Sequence, residues 1–346
     1  MGRVVVINAP RSISIEQEED PPLEPGELRL RTLYSGISAG TELTAFRGSN
    51  PYLHKKWDPA SKLFLASASP TQPYPIVGWG YEEVGQVVEV GAEVTQVKIG
   101  DLVYGTWGHR THYILGEALA GKRILPADLE PVLGIFSHIG AISLNGVHDA
   151  GLRIGETVAV FGLGVPGQIV AQLAKASGAR VIGIDPIEKR LALAQELGAL
   201  DVALDPENGS PAERIKSLTA GRGADVVVEV SGHYAALHEA IRAAAYSAKV
   251  VALGFFQGQA AGVFFGEEFH HNRIQLICSQ ISGVDPALSY RWDRDRLVHT
   301  VMGLQAAGAL NLKPLITHVI PFQDAAEAFR LLDENPEEAL QIVLDF

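Results

Sequence analysis

The alternation of hydrophobic and polar residues changes character near residue 130 of the chain. Before that point, short β-type runs are separated by Gly and Pro, a spacing that predicts an antiparallel, partly closed barrel. The predicted strands in this part are Arg3–Asn8, Gly26–Ser35, Glu83–Val90, Asp101–Thr106 and Thr111–Leu115.

From about Leu133 to Ile281, strand-like and helix-like runs alternate. This alternation predicts an α/β fold with a doubly wound parallel sheet. The predicted strands are Thr157–Phe161, Arg180–Asp185, Val202–Leu204, Ala224–Ser231, Lys249–Phe255 and Ile274–Ile281. The predicted helices are Pro166–Ser177, Glu188–Leu197, Ala212–Ala220 and Ala235–Ala244.

After Ile281 the strand-helix alternation ends. An amphipathic helix is predicted over Arg294–Ala307 and a further helix over Asp324–Asp333. We expect the apolar runs Ile316–Phe322 and Leu340–Phe346 to complete a sheet elsewhere in the molecule.

A glycine-rich sequence follows the first predicted strand of the second pattern directly. Strand Thr157–Phe161 continues into Gly162-Leu-Gly-Val-Pro-Gly167, a GxGxxG sequence. In such a sequence Gly162 permits a tight turn, Gly164 lets the backbone approach a pyrophosphate, and Gly167 lets the following helix pack on the strand. The sequence therefore predicts a dinucleotide site.

The next two features concern the helix and the second strand. Val165 and Pro166 open the helix, and a proline in the first turn removes an N–H that has no partner within the helix. The remaining N–H groups of that first turn favour phosphate.

Asp185 ends the second strand roughly 20 positions beyond Gly162, where a carboxylate hydrogen-bonds the ribose hydroxyls and repels a 2′-phosphate. NAD is therefore favoured over NADP.

Length and composition limit the classes of function. A chain of 346 residues favours two domains. The net charge of −12 argues against a nucleic-acid partner, because such binding depends on Lys and Arg neutralising phosphates. The single cysteine, Cys278, excludes an intramolecular disulfide. We expect a cytoplasmic protein, since neither a secretory signal nor a membrane span is evident in the sequence.

Two further motifs and the closing segment resemble the medium-chain dehydrogenase/reductase superfamily, which includes zinc alcohol dehydrogenases and quinone oxidoreductases. Tyr34-Ser-Gly-Ile-Ser-Ala-Gly-Thr-Glu42 resembles its CGICGSD-type segment, and Pro75-Ile-Val-Gly-Trp-Gly-Tyr-Glu-Glu-Val-Gly85 resembles its PxxxGHExxG segment. The tail Pro314–Phe322 also matches. The resemblance implies a GroES-like β-barrel catalytic domain over 1–132, a Rossmann NAD-binding domain over 133–283, a return segment over 284–346 that completes the catalytic domain, and an active site in the cleft.

The departures from this family pattern concern zinc. Ser38 stands where zinc members have their first cysteine ligand, Tyr81 where they have histidine, and the third position falls at about Ser137, beside His138. A catalytic zinc needs three ligands drawn from thiolate, imidazole and carboxylate. We therefore expect a zinc-independent member with no metal. Two short motifs, SGIS-x-GTE and GYE-x-VG, also resemble a zinc-lacking branch that includes the bacteriochlorophyllide hydroxyethyl dehydrogenases.

The resemblance implies which residues take the place of the metal. We expect Tyr81 to donate a hydrogen bond to the reacting oxygen, with Thr41 or Ser38 as second donor or relay. With a normal pKa of about 10, a tyrosine is better suited to act as an acid than as a base. In the alternative interpretation, Tyr81 only fills the former metal pocket.

Charged neighbours of these hydroxyls are further candidates. Glu42 and Glu82 flank the hydroxyl groups in sequence and are expected to orient them or to attract a basic partner, His138 or His112. Glu82 also occupies the position of a family glutamate behind the metal, for which a structural role is the alternative.

Further cofactor contacts are carried over from the family pattern. They are Arg190 at the adenosine ribose, Val230, Ser231 and His233 after the fourth strand, and Leu253, Gly254 and Phe255 near the nicotinamide carboxamide. Ala39 and Gln341 replace arginines that contact the pyrophosphate in some members, which predicts looser phosphate binding.

Several functions remain open. The leading prediction is an NAD(H)-dependent alcohol dehydrogenase or ketone reductase; the alternatives are an NAD(P)H-dependent quinone or enoyl reductase and an inactive dinucleotide-binding sensor or scaffold. The long segment 48–72 is predicted to be a lid that favours a bulky, partly aromatic or anionic substrate. The apolar edge strand Ile274–Ile281 predicts a homodimer, alone or as a dimer of dimers.

Overall fold

The computed structural model describes residues 1–67 and 69–346, and its internal contacts divide the chain into two units. The first unit contains Met1–His138 and Leu315–Phe346, and the second contains Ile139–Pro314. The boundaries predicted from the sequence are 132 and 283, whereas these contacts divide the chain after His138 and after Pro314. Residues 284–314 belong to the second unit because Val301 packs on Gly140 and the Asn311 N–H donates to the Gln172 side chain at 2.8 Å.

The first unit is mainly β-sheet, with strands and helices numbered along the chain. Its strands are β1 (Gly2–Ala9), β2 (Ser12–Glu18), β3 (Glu27–Ile37), β4 (Lys55–Asp58), β5 (Leu63–Ala66), β6 (Ile76–Val77), β7 (Glu83–Val90), β8 (Leu102–Gly105), β9 (His112–Gly116), β16 (Ile316–Pro321) and β17 (Gln341–Asp345). Its helices are α1 (Glu42–Arg47), α2 (Glu117–Ala120) and α9 (Ala325–Glu334), while α3 (Phe136–Ala150) begins in this unit and continues into the second.

The main sheet of the first unit has the strand order β16-β17-β3-β7-β8, and β9 also pairs with β3. Strand β17 is antiparallel to β3, with Val343 opposite Gly36. The carboxyl-terminal strands therefore complete the sheet of the amino-terminal part, as expected. Buried apolar residues that include Phe46, Phe322 and Phe329 form one core of this unit.

The second unit contains one parallel sheet flanked by helices. Its strands are β10 (Thr157–Phe161), β11 (Arg180–Ile184), β12 (Val202–Leu204), β13 (Ala224–Glu229), β14 (Ala244–Ala252) and β15 (Gln275–Cys278). Its helices are α4 (Val165–Ala176), α5 (Glu188–Glu196), α6 (Pro211–Leu218), α7 (Tyr234–Ala243) and α8 (Arg294–Ala306). The strand order is β12-β11-β10-β13-β14-β15, with every pair parallel. The predicted doubly wound sheet is confirmed.

The order of these strands locates the ligand-binding edge. The chain moves outward in one direction from β10 through β11 to β12, and then in the other from β13 to β15. The direction reverses between β10 and β13, and ligands of doubly wound sheets bind at the carboxyl ends of the strands beside that reversal. Within the described residues, no helix is both long and apolar enough to span a membrane.

The segment predicted as a long loop, 48–72, contains regular structure. Strands β4 and β5 form a two-stranded antiparallel sheet with Trp57 opposite Phe64. The period-2 signal is absent here because β5 is apolar at every position, Leu-Phe-Leu-Ala, although all four of its side chains are exposed. Ala68 of this segment lies outside the described residues.

Candidate active site and cofactor site

The glycine loop after β10 is shaped by close backbone contacts. Gly162 has a φ of 90°, and a Cβ atom there would lie 2.8 Å from the Ser231 backbone nitrogen. A Cβ atom on Gly167 would overlap the Gly162 carbonyl oxygen. In contrast, a Cβ atom on Gly164 would meet nothing within 4 Å. The packing of the loop therefore requires glycine at 162 and 167, while Gly164 leaves open space.

The start of α4 complements that space. Gly164 is the N-cap residue, no side chain caps the helix, and Pro166 lies in the first turn. The first N–H groups of a helix lack partners within it and favour anions. Open space beside uncapped N–H groups fits the pyrophosphate of a dinucleotide, and Val165 lies in the same turn.

Asp185 follows β11 and reaches the same loop. Its Oδ2 accepts the Leu163 N–H at 2.7 Å and its Oδ1 accepts the Ile187 N–H at 2.8 Å. Arg190 on α5 lies 3.9 Å from Oδ2. Since each carboxylate oxygen has two lone-pair sites, these bonds leave acceptor capacity for ribose hydroxyls. The acid is buried beside the glycine loop, where a dinucleotide site requires it.

The residues carried over from the fourth and fifth strands lie at the same sheet edge. The Val230 N–H donates to the Phe161 carbonyl at 2.8 Å, and Ser231 packs against Gly162. His233 is the N-cap residue of α7, and the Gly254 N–H donates to the Glu229 carbonyl at 3.0 Å. The remaining members, Leu253 and Phe255, flank Gly254. The structure thus brings the predicted cofactor residues to one edge of the sheet.

In the first unit, three of the predicted hydroxyl groups meet. Ser38 Oγ lies 2.5 Å from Tyr81 Oη, and Tyr81 Oη donates to Thr41 Oγ1 at 3.3 Å. Ser38 follows β3, Thr41 is the N-cap residue of α1, and Tyr81 precedes β7. The Tyr81 ring packs edge-on against the His138 ring, with centroids 4.9 Å apart. The backbone therefore gathers Ser38, Thr41, Tyr81 and His138 from three separate segments.

The surroundings of Tyr81 determine its protonation. Burial raises the pKa of its phenol, the charges of Glu82 and Glu42 raise it further, and the hydrogen bonds with Ser38 and Thr41 oppose the rise. The Tyr81 ring is nevertheless half-buried, so part of it stays accessible. Near neutral pH the phenol is a hydrogen-bond donor and not a phenolate.

Glu82 lies behind this group and is fully buried. Its Oε2 has no hydrogen-bond partner among the described residues. A Cβ atom on Gly36 would lie 2.5 Å from that oxygen, so glycine is needed there to accommodate the carboxyl group. Burial raises the pKa of Glu82 well above its ordinary value, as do the charges of Glu42 and Glu83, while the nearby amide of Gln341 opposes the rise.

Glu42 has a basic partner that the sequence did not indicate. His109 Nε2 lies 2.6 Å from Glu42 Oε2, and His109 Nδ1 lies 2.6 Å from Ser35 Oγ. Ser35 in turn donates to Glu83 Oε1 at 3.1 Å. The other oxygen of Glu42 accepts the Ser38 N–H at 3.0 Å, which links this buried array to Ser38.

The expected partners, His138 and His112, are placed differently. His138 contacts the Tyr81 ring, and His112 on β9 lies 3.6 Å from Asp20. His109 escaped prediction because it lies in the loop between β8 and β9, 67 positions from Glu42, where no periodic pattern marks it.

The pKa values of this array follow from burial and mutual charge. Burial raises the pKa of Glu83 to about 7, although the positive charge of His109 and the Trp107 N–H oppose the rise. For His109, burial acts to lower the pKa, but the charges of Glu42 and Glu83 and the hydrogen bond to Glu42 outweigh it and raise the pKa.

The donors at the former ligand positions do not fit a catalytic zinc. Two of them, Ser38 and Tyr81, are hydroxyl groups that hydrogen-bond each other, and Ser137 Oγ is a third buried hydroxyl. Zinc sites use thiolate, imidazole or carboxylate. No group of three or more His, Cys, Asp or Glu side chains suited to a metal is found among residues 1–67 and 69–346.

Comparisons with known proteins identify the family and the fold. Residues 164–292 match the family described as zinc-binding dehydrogenase. The chain is 31% identical to D-guloside 3-dehydrogenase of Shigella flexneri over 350 residues, 99% of each chain, and 27% identical to (R,R)-butanediol dehydrogenase of Bacillus subtilis over 92% of each. The crystal structure of 2R,3R-butanediol dehydrogenase from Bacillus subtilis superposes with a TM-score of 0.80 over the whole of both chains, at 23% identity.

Proposed function

The chain belongs to the zinc-binding dehydrogenase family of medium-chain dehydrogenases/reductases and is an NAD(P)-dependent oxidoreductase, and from this premise we propose that it interconverts a secondary alcohol and its ketone without a catalytic zinc. The observation that carries the proposal is the hydrogen bond between Ser38 Oγ and Tyr81 Oη, which joins two hydroxyl groups at positions where zinc relatives have metal ligands. The hydroxyl compounds named for the relatives, a guloside and butanediol, support an alcohol as substrate.

The chemistry divides between cofactor and chain. Bound nicotinamide supplies or accepts the hydride. The chain must bind the reacting oxygen and stabilise negative charge on it, which zinc does elsewhere as a Lewis acid. When Ser38 donates its hydroxyl proton to Tyr81 Oη, the Tyr81 proton is free to point at a substrate oxygen in place of Thr41. A donor fixed in this way favours the charge that develops in the transition state.

The raised pKa of Tyr81 favours one direction of reaction. Burial, followed by the charges of Glu82 and Glu42, keeps the phenol protonated. A protonated phenol can donate to an oxygen that becomes an alkoxide, but it cannot take the proton of an alcohol. We therefore propose carbonyl reduction as the faster direction near neutral pH.

We propose NAD as the preferred cofactor, on the basis of Asp185. A 2′-phosphate would bring like charge to a buried carboxylate beside the glycine loop. Asp185→Asn removes that charge while keeping one acceptor oxygen. We expect the ratio of NADPH to NADH affinity to rise at least tenfold, measured by fluorescence titration. Asp201→Asn, at the amino end of β12, is the control, and an unchanged ratio in Asp185→Asn would contradict the proposal.

We propose that the β4–β5 sheet covers bound substrate and favours a bulky, partly aromatic or anionic molecule. Phe64 packs against Trp57 and Tyr52, with ring centroids 4.9 and 5.3 Å apart, and Lys55 and Lys56 are exposed. Aromatic faces and ammonium groups together suit such a ligand.

The remaining expectations concern the oligomeric state, the cellular location and the family branch. We propose a homodimer formed through β15, because this strand ends the parallel sheet and its side chains are largely exposed. A cytoplasmic location and closeness to the bacteriochlorophyllide branch stay predictions from the sequence.

The test of the proposed function combines metal analysis with a substrate panel. Protein purified and treated with a strong chelator is analysed for zinc and then assayed with NADH against secondary ketones, quinones and enones. We expect ketone turnover that chelation does not lower, with zinc well below one atom per chain. Stoichiometric zinc that restores lost activity would overturn zinc independence. Turnover of enones or quinones alone would assign a C=C or quinone reductase, and NADH binding without any turnover would indicate a scaffold.

A further inference from the structure

Glu229 is a buried acid at the cofactor edge of the sheet to which no role has yet been given. It is the last residue of β13 and is fully buried opposite Phe161, the last residue of β10. The reversal of strand order between β10 and β13 therefore lies beside it. A buried carboxyl group is costly unless other groups satisfy it, so its partners define its function.

These partners are the backbone turns after two strands. Glu229 Oε1 accepts the Ser231 N–H at 2.9 Å and also the Ser231 hydroxyl, and Oε2 accepts the Gly232 N–H at 3.1 Å. The Glu229 carbonyl accepts the N–H groups of Leu253 at 2.8 Å and Gly254 at 3.0 Å. This one residue consequently holds the turn after β13 with its side chain and the turn after β14 with its backbone.

The turn after β13 packs tightly against the glycine loop, and the turn after β14 packs against the turn after β13. A Cβ atom on Gly162 would lie 2.8 Å from both the backbone nitrogen and the Cβ of Ser231. A Cβ atom on Gly254 would overlap Gly232 and lie 2.9 Å from Glu229 Oε2. Because no free space separates these segments, a change in the bonds of Glu229 moves the wall of the cofactor site.

Other titratable groups near β13 have partners elsewhere or lie outside the contact between the Glu229 carboxyl group and the two turns. They are His233 on the turn, Tyr234, His238, Glu239 and Arg242 on α7, Tyr246 and Lys249 on β14, Asp225 on β13 itself and Asp185 after β11. Glu239 pairs with Arg242, Lys249 donates to the Asp149 carbonyl, and Asp225 accepts the Thr157 N–H. Strand β10 carries no titratable side chain.

We propose that Glu229 is a positioning residue of the dinucleotide site and that its carboxyl group takes up a proton when the cofactor binds. The proposal rests on the use of a nicotinamide dinucleotide and does not depend on zinc-free catalysis.

The direction of the coupling follows from charge. Burial already raises the pKa of Glu229 to about 7, against the opposing hydrogen bonds from Ser231 and Gly232. A bound dinucleotide brings two negative phosphates to the adjoining glycine loop, and like charge disfavours the ionised carboxyl further. By linkage, the cofactor binds more tightly when Glu229 is protonated, so affinity falls as the pH rises through the pKa of the free protein.

The protonated form still holds the turn. A neutral carboxyl group can donate its O–H to Ser231 Oγ while its carbonyl oxygen accepts a backbone N–H. The amide of a Glu229→Gln variant can donate to Ser231 Oγ and accept the Gly232 N–H, although it gives up the bond from the Ser231 N–H. The variant therefore carries no charge at any pH, as the protonated acid does.

The experiment measures NADH affinity by fluorescence titration between pH 5.5 and 9 at fixed ionic strength, without any substrate. In the wild type we expect affinity to fall about tenfold across this range, the change that corresponds to a rise of one pKa unit on binding. In Glu229→Gln we expect a nearly flat profile close to the acidic limit of the wild type. The control is Glu239→Gln, since Glu239 also accepts from a serine hydroxyl and a backbone N–H but faces Ser210 and Ala212.

A second readout uses the wild type alone. In weakly buffered solution at pH 7, NADH binding should remove protons from solution, and a pH indicator measures their number. No proton uptake, an affinity independent of pH, or the same slope in Glu229→Gln would each overturn the proposal. A requirement for zinc is distinguishable from this outcome. Chelation would then abolish turnover but leave NADH binding and its pH profile unchanged.

Discussion

At the scale of single residues, the hydroxyl group of Tyr81 carries the proposed chemistry. The sequence predicted that Tyr81, Ser38 and Thr41 would act together, because each stands at or beside a family motif position. The structure adds the distances that make a donor chain, 2.5 Å to Ser38 and 3.3 Å to Thr41. It also adds His109, which a loop brings to Glu42. The conformation of that loop cannot be derived from residue propensities.

Replacing Tyr81 by Phe tests the donor directly. We expect kcat for ketone reduction to fall on the order of 10²- to 10³-fold, the usual cost of removing one oxyanion donor. NADH affinity should not change, since the glycine loop and Asp185 of the proposed cofactor site lie in the second unit. Steady-state kinetics and NADH titration measure both quantities.

Tyr113→Phe is the matched control, because Tyr113 stacks on Trp107 away from Ser38 and should retain wild-type turnover. An unchanged kcat in Tyr81→Phe would limit this residue to filling space.

At the scale of elements, strands that end at turn residues were predicted closely, whereas elements without a clear hydrophobic alternation were not. Strands β7, β10 and β12 have the predicted bounds, since their hydrophobic runs end at turn residues. Strand β14 begins at Ala244, earlier than the predicted Lys249, because its first residues are small and alanine favours helix in isolation. Helix α3 was not predicted, and the exposed β4–β5 pair lacks the alternation that marks a strand.

The glycine loop and α4 yield a prediction at this scale. Gly164→Ala should fold normally, because a Cβ atom there meets nothing within 4 Å and the backbone φ of −62° suits alanine. NADH affinity should nevertheless fall at least tenfold, since the methyl group occupies the space left for pyrophosphate. Fluorescence titration and thermal unfolding distinguish the two effects.

The comparison variants are Gly303→Ala and Gly167→Ala. Gly303 lies in α8, also with open space around it, and its replacement should leave NADH affinity unchanged. Gly167→Ala should lower stability as well, because its Cβ atom overlaps the Gly162 carbonyl. Normal NADH affinity in Gly164→Ala would place the pyrophosphate elsewhere.

At the scale of the whole molecule, buried titratable groups make stability depend on pH. Folded Glu82 and Glu83 hold protons to higher pH than the unfolded chain does, because burial raises the pKa of each, to about 7 for Glu83. His109 also has a raised pKa, so its stabilisation is complete below the unfolded value of about 6.5 and is lost as pH rises through the folded value. All three contributions therefore make the free energy of unfolding fall as pH rises from about 4.5 past 7.

Glu83→Gln isolates one part of this dependence. A shift from 4.5 to about 7 corresponds to on the order of 3 kcal/mol, so the variant should lose much of the wild-type slope between pH 5 and 8 in urea unfolding. Glu93→Gln at an exposed site should keep that slope. A wild-type stability that rises over this range would contradict the assignment.

Assembly through β15 is tested by charge at the sheet edge. Leu276→Lys should convert a dimer to monomers in sedimentation velocity, because Leu276 is 36% exposed on the edge strand and a lysine there would repel its copy. Ile154→Lys, at a site that is 88% exposed, should remain dimeric. A monomeric wild type, or a dimeric Leu276→Lys variant, would exclude this interface.

The pairing of β17 with β3 has a consequence for synthesis on the ribosome. The Gln341 side chain donates to the Ile37 carbonyl beside this pairing, although 304 positions separate the two residues and the whole of Ile139–Pro314 is translated between them. Domains generally fold as units while the nascent chain emerges. The inserted unit can therefore become native first, while the Tyr34–Ile37 end of β3 waits with an unpaired edge, and chaperone binding during translation should be concentrated on that end of the strand.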